Sequence, residues 1–245
     1  MKIKALIDEL KKLADPKRAK TSSRFFKTGE GQYGYGDIFL GITVPVQRNI
    51  SHAFVSLPLN DVEKLLKSPI HEYRFVGLEI LVAKYEKGDQ KIKKEIVHSY
   101  LKNKKCVNNW DLVDTSAEYI LGDCFFGRSK KILLKMARSK NLWERRMAIV
   151  ATFHFIKKNK FNETLKIANI LLGDQHDLIH KATGWMLREV GKRSPKTEIM
   201  FLNKHYRSMP RTMLRYAIEK FSPQKRKYYL RSKNEIKKRY RRGKN

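Results

Sequence analysis

The sequence predicts an all-α protein, an α-solenoid in which helical pairs stack one on the next, and three observations carry this. No stretch alternates apolar and polar residues long enough to make a strand; Val and Ile recur at steps of three and four, the spacing of a helix face. Five like segments follow one another, EYRFVGLEIL (72–81), DLVDTSAEYIL (111–121), ERRMAIVATF (144–153), HKATGWMLREV (180–190) and TMLRYAIEKF (212–221). Their small residues Gly77, Ala117, Ala148, Gly184 and Ala217 step by 40, 31, 36 and 33. A small side chain at that period lets neighbouring helices approach, as in stacked helical pairs of the HEAT type.

The elements follow in order. MKIKALIDELKKLAD opens the chain as an amphipathic helix broken by acids, where a signal peptide would carry an apolar run. Pro16 starts a basic segment, and Gly29 to Gly36 (GEGQYGYG) reads as a loop. Its literal G-x-G-x-x-G match has no strand before it and no βαβ frame, so nucleotide binding is not expected. DIFLGITVPV (37–46) has local β character, but Pro45 is a poor member of a ladder. The chain turns regular at Pro58 and carries repeats over 58–223, giving one HEAT-like domain over 1–223 and a basic tail over 224–245 with eleven Lys or Arg and one acid, Glu235.

Charge bounds the partners. With 54 Lys and Arg against 24 Asp and Glu, the net charge of +30 exceeds what solubility requires and points to a polyanion, nucleic acid ahead of a membrane surface. No apolar run approaches the length of a membrane span, so a cytoplasmic, nucleoid-associated monomer is expected. Cys106 and Cys124 lie far from any metal or redox spacing and are expected reduced and partly buried. His176 and His180 stand four apart with no third ligand in view, so neither a metal nor another cofactor is expected.

Within this basic chain NNWDLVDTS (108–116) holds two acids. Asn108 or Asn109 fits an N-cap, and Asp111 suits the first turn, where the helix dipole favours negative charge. Asp114 falls a turn later, where that benefit has faded, on the same face as Trp110. Three residues before each small residue stand Arg74, Asp114, Arg145, Lys181 and Leu214, so the acid occupies a position that is cationic in three of the other four repeats.

These segments, with FLGITVPVQR (39–48), NWDLVD followed by ILGD (120–123), LWERRMAIV (142–150) and ATGWMLREVGK (182–192), resemble the AlkD family of DNA alkylation-repair glycosylases over most of the chain. The resemblance implies a HEAT-like fold, duplex DNA carrying alkylated bases as partner, and hydrolysis of the N-glycosidic bond of cationic N3- or N7-alkylated purines. It implies a catalytic carboxylate at Asp114, active-site aromatics at Trp110 and Trp185, and an arginine at Arg146. Arg48, Arg74, Arg145, Lys181, Arg188 and Arg215 are the cations expected on phosphates. The glycine-rich loop and the tail match no family feature, and Trp143 is expected in the core.

The chemistry suits these residue types. A cationic purine leaves as a neutral base and needs no general acid, while positive charge grows on the deoxyribose. A carboxylate ~4 Å away at an effective dielectric near 20 contributes about 4 kcal/mol, close to three decades in rate. Tryptophan faces favour the same cation, and an arginine holds a phosphate. Arg145 and Arg146 point about 100° apart on a helix; the family motif favours Arg146, the repeat register Arg145. Thr115 and Ser116 have no histidine near in sequence to activate them. The competing reading is a non-catalytic HEAT-repeat module that binds nucleic acid.

Overall fold

The computed structural model describes residues 2–231, and among them every regular element is helical. They pack as two compact units that divide after Arg128. In the first, α1 spans Ile3–Lys12, α2 Pro16–Phe25, α3 Val44–Ala53, α4 Leu59–Leu66, α5 His71–Lys87, α6 Gln90–Lys102, α7 Trp110–Asp114 and α8 Asp123–Phe126. In the second, α9 spans Lys131–Met136, α10 Leu142–Lys157, α11 Asn162–Ile170, α12 Asp177–Arg193, α13 Pro195–His205, α14 Arg211–Ala217 and α15 Pro223–Leu230. This is the all-α, helical-repeat class read from the sequence.

The α1 helix forms as its periodicity requires, with Leu6 and Leu10 wholly buried. The segment of β character makes a single bridge, Ile38 with Ile70, and then becomes α3. Pro45 sits in the first turn of α3, where its missing N–H costs no hydrogen bond and its fixed φ suits a helix. Regular structure therefore begins well before Pro58, in α2 and α3.

The repeat segments become the central helices. α5 packs against α3, α4 and α6, and is buried on nearly every side, with Leu78, Ile80 and Leu81 wholly enclosed. Each such aliphatic side chain contributes about 1.5–3 kcal/mol by leaving water. In the second unit α10, α12 and α14 lie side by side, with α9 and α11 against α10 and α13 against α12. Trp143 is core, as expected.

The small-residue register has its physical cause at Gly184. A methyl group there would run into the Met213 carbonyl and reach 2.5 Å from Tyr216 Cβ and 3.2 Å from the Ala217 nitrogen. Gly184 and Ala217, two members of the series, thus face each other where α12 meets α14. Gly184→Ala is expected to lower unfolding free energy by about 1–3 kcal/mol, read as a shift in urea midpoint at constant slope. Gly127→Ala, whose added methyl would meet nothing within 4 Å, should stay near wild type.

The presumed tail begins as structure. Residues 224–230 belong to α15, where Tyr229 is buried and donates its hydroxyl to Asn203 Oδ1 at 2.9 Å, while Arg211 donates to the Leu230 carbonyl. Residues 232–245 lie outside the described residues.

Candidate functional site

The first unit builds its candidate site around the short helix α7. Asn109, not Asn108, is the N-cap: it is fully buried, and its Oδ1 accepts the Trp110 N–H at 2.8 Å. After Asp114 the helix breaks through a turn into a π-helical stretch, Glu118–Gly122. The Ser116 hydroxyl donates back to the Leu112 carbonyl at 2.6 Å and lies 2.9 Å from the Tyr100 hydroxyl, which loosens the ladder there. That hydroxyl is therefore placed for structure rather than attack. Thr115 donates to Glu79 of α5, in a short bond, so α7 is held at its far end as well.

Asp114 is the last residue of α7 and half-buried. Burial pushes the Tyr100 phenol up, and the Asp114 carboxylate adds to that rise. Trp110, four residues earlier, is also half-buried. Its ring stacks on Phe26 at 5.3 Å and 12°, and Phe25 meets it edge-on at 6.0 Å.

Behind this pair lies a cluster that no sequence pattern announced. His71, the first residue of α5, is 2% exposed and places Nε2 2.8 Å from Asp111 Oδ2 and Nδ1 3.1 Å from Asp37 Oδ2. Burial alone would lower its pKa, but the Asp111 and Asp37 carboxylates outweigh that and raise it to about 9. Asp37 also accepts from Arg74 at 2.6 Å and Asn109 Nδ2 at 3.2 Å. Burial works against its charge, yet His71, Arg74 and Asn109 hold its carboxyl below the ordinary value. Asp111 is thus more than a first-turn acid.

The loop that carries Asp37 is anchored by Glu72. Its buried carboxylate accepts the N–H groups of Leu40, Gly41 and Ile42 at 2.9, 2.8 and 3.3 Å. Gly41 has φ of +83°, and a methyl group on it would strike the Asp15 carbonyl, so only glycine fits this cradle. GEGQYGYG is a run of turns ahead of this anchor, as expected of a loop.

In the second unit Arg146 on α10 is 5% exposed and donates to the Leu178 carbonyl at 2.6 Å. Trp185 on α12 is half-buried and meets Phe153 of α10 edge-on at 5.6 Å. Arg145 turns elsewhere: its Nε lies 2.5 Å from Asp174 Oδ2, and it donates to the Ser139 and Lys140 carbonyls at 3.0 Å. His176 and His180 serve this same corner, His176 accepting the Leu178 N–H and His180 Nε2 lying 2.6 Å from the Asp174 carbonyl.

The cations expected on phosphates divide in the structure. Arg74 is buried against Asp37 and the Ser68 carbonyl, so its guanidinium is turned inward and is not a surface cation. Arg145 is committed to Asp174, and Arg188 to Glu219 and Glu189. Lys181 pairs with Asp177 at 2.7 Å and Arg48 with Glu79 at 3.2 Å, the arginine still half-exposed. Arg215 is exposed. Arg48 to Glu79, Arg145 to Asp174 and Arg188 to Glu219 span 31, 29 and 31 residues, about one repeat length, so each of these pairs ties neighbouring helical layers within its own unit. Cys106 and Cys124 are free and half-buried.

Residues 6–221 match the family described as DNA alkylation repair enzyme. The chain belongs to that family. No curated protein matches its sequence. Among solved structures, a protein described as a predicted DNA alkylation repair enzyme from Enterococcus faecalis has the same fold, with a TM-score of 0.69 at 17% identity over 86% of this chain and 97% of that one. Among the described residues of this DNA alkylation repair family member, no helix is long and apolar enough to cross a membrane.

Proposed function

We propose that this chain is a monofunctional DNA glycosylase that hydrolyses the N-glycosidic bond of cationic alkylated purines, 3-methyladenine and 7-methylguanine, in duplex DNA. The observation that carries the reading is the pairing of a half-buried carboxylate, Asp114, with a half-buried aromatic, Trp110, on one face of a helix tethered at both ends. Asp114 faces the positive charge that grows on the deoxyribose as the neutral base departs, and it orients the attacking water. Trp110 lies against the sugar or base, its ring plane set by Phe26. Within the second unit, taken by itself, Trp185 offers a half-buried aromatic surface, and the buried Arg146 donates to the Leu178 carbonyl. The family matched over 6–221 and the net charge of +30 support DNA as the substrate.

The direct test is release of labelled methylated base from alkylated duplex by the purified chain, with an intact abasic strand left behind. Binding without release places the protein among non-catalytic nucleic-acid modules. Affinity should also fall steeply with salt, each neutralised phosphate adding a slope of about −0.9 to log K against log salt. Because five of the six expected phosphate cations sit in ion pairs with carboxylates, single substitutions of these should change that slope less than Arg215→Ala does.

A further inference from the structure

A helix of five residues cannot hold its own direction, since isolated helices are marginal even at about 12–15 residues. The direction of α7 must come from outside it. We propose that His71 is the positioning residue of α7: gripping Asp111 with one ring nitrogen and Asp37 with the other, it fixes how far α7 is turned about its axis, and so where Asp114 and Trp110 point. This rests on the glycosylase reading for its consequence in rate, though not for its geometry.

Four contacts carry it. His71 Nε2 meets Asp111, which lies three residues before Asp114 on the same helix, at 2.8 Å. Nδ1 meets Asp37 at 3.1 Å, and Asp37 in turn holds Asn109, the cap of α7. The imidazole stacks on Phe39 at 4.5 Å and lies 5.0 Å from Phe26. Phe26 is the ring on which Trp110 rests. One side chain therefore touches both the carboxylate that sets the helix and the aromatic that sets the tryptophan. A displacement of about 1 Å at a reacting centre is worth about two decades in rate, so this grip has a kinetic consequence.

The imidazole does this as a cation. Both nitrogens face carboxylates, so both must donate; loss of one proton would set a lone pair against a carboxylate oxygen. The charged groups around it are Asp111 on α7, Asp37 on the loop and Arg74 on its own helix, the last opposing its charge. Because the folded pKa is raised from 6.5 to about 9, the stability this ion contributes is complete below pH 6.5 and lost as pH rises through about 9.

The experiment is a double-mutant cycle on single-turnover excision at saturating enzyme, with His71→Gln, Asp111→Asn and the pair. Each single change should slow excision by about 10- to 100-fold while the half-saturating protein concentration stays within about threefold, and the double should be no slower than the slower single. Wild-type excision should fall as pH rises through about 9 and this limb should be missing in His71→Gln. Losses that multiply in the double, or a lowered thermal midpoint with an unchanged rate for folded protein, would overturn the proposal. Should the wild type release no base, the glycosylase reading fails alone. The positioning claim is then decided by Trp110 fluorescence in a Trp143→Phe, Trp185→Phe background: a transition near pH 9 that His71→Gln abolishes supports it, and a flat titration overturns it.

Discussion

Asp114→Asn is expected to slow single-turnover excision of 7-methylguanine by about two to three decades while duplex affinity stays in place. The substitution keeps the side chain's shape and most of its hydrogen-bonding capacity, and removes only the charge that, in the proposed mechanism, stabilises the sugar cation. Affinity for undamaged DNA should hold or rise slightly, because a carboxylate among phosphates repels them. A carboxylate kept for folding would behave otherwise. Its loss would lower the thermal midpoint, and activity would decline only as folded protein declined. Asp114 closes α7 half-buried, beyond the first turn where the helix dipole favours an acid, so the dipole alone does not account for it. Rate and thermal midpoint measured on the same sample decide between the two. Asp111→Asn is no inert control, since Asp111 is the partner of His71. If Asp114→Asn releases 7-methylguanine at the wild-type rate while folded, the mechanism is wrong.

The parts of this molecule that the sequence disclosed are those governed by local period. Helical spacing announced the central helices, and the small-residue register marked Gly184 and Ala217, which meet where α12 approaches α14. A cap at Asn108 or Asn109 is legible because capping is a local exchange between a side chain and the next N–H groups, and the structure places it at Asn109. Register fixes an angle around a helix but not what stands opposite. Arg74 shares its repeat position with other cations, yet faces a carboxylate from a loop 37 residues upstream. Asp37 and His71 carry no periodicity that would join them, because their contact is made by a loop whose path Glu72 dictates. α2 and α3 lie among basic, glycine-rich and proline-bearing stretches, where Pro45 argues against a strand as readily as for a helix start.

The same limit governs the two neighbouring arginines, for which opposite outcomes are expected. Arg145→Ala should cost stability: its side chain is 18% exposed and clamps Asp174, itself 5% exposed, so truncation leaves a buried carboxylate without its main counter-charge. Breaking such a pair costs about 3–5 kcal/mol, or roughly 6–20 °C in Tm for a chain of this size. The excision rate of protein that remains folded should change little. Arg146→Ala removes a buried guanidinium whose contacts include the Leu178 carbonyl in the first turn of α12, a loss of about 1–3 kcal/mol. If Arg146 also contacts a phosphate of the substrate, lost positioning should lower excision about tenfold or more at a temperature where both variants are folded. Thermal melts and single-turnover rates on the two variants separate the roles, because Arg145→Ala should move mainly the melt, whereas Arg146→Ala should move the melt less and the rate as well. Equal losses of rate for folded protein would give Arg145 the same part in the chemistry as Arg146 and leave the family motif no better a guide than the repeat register.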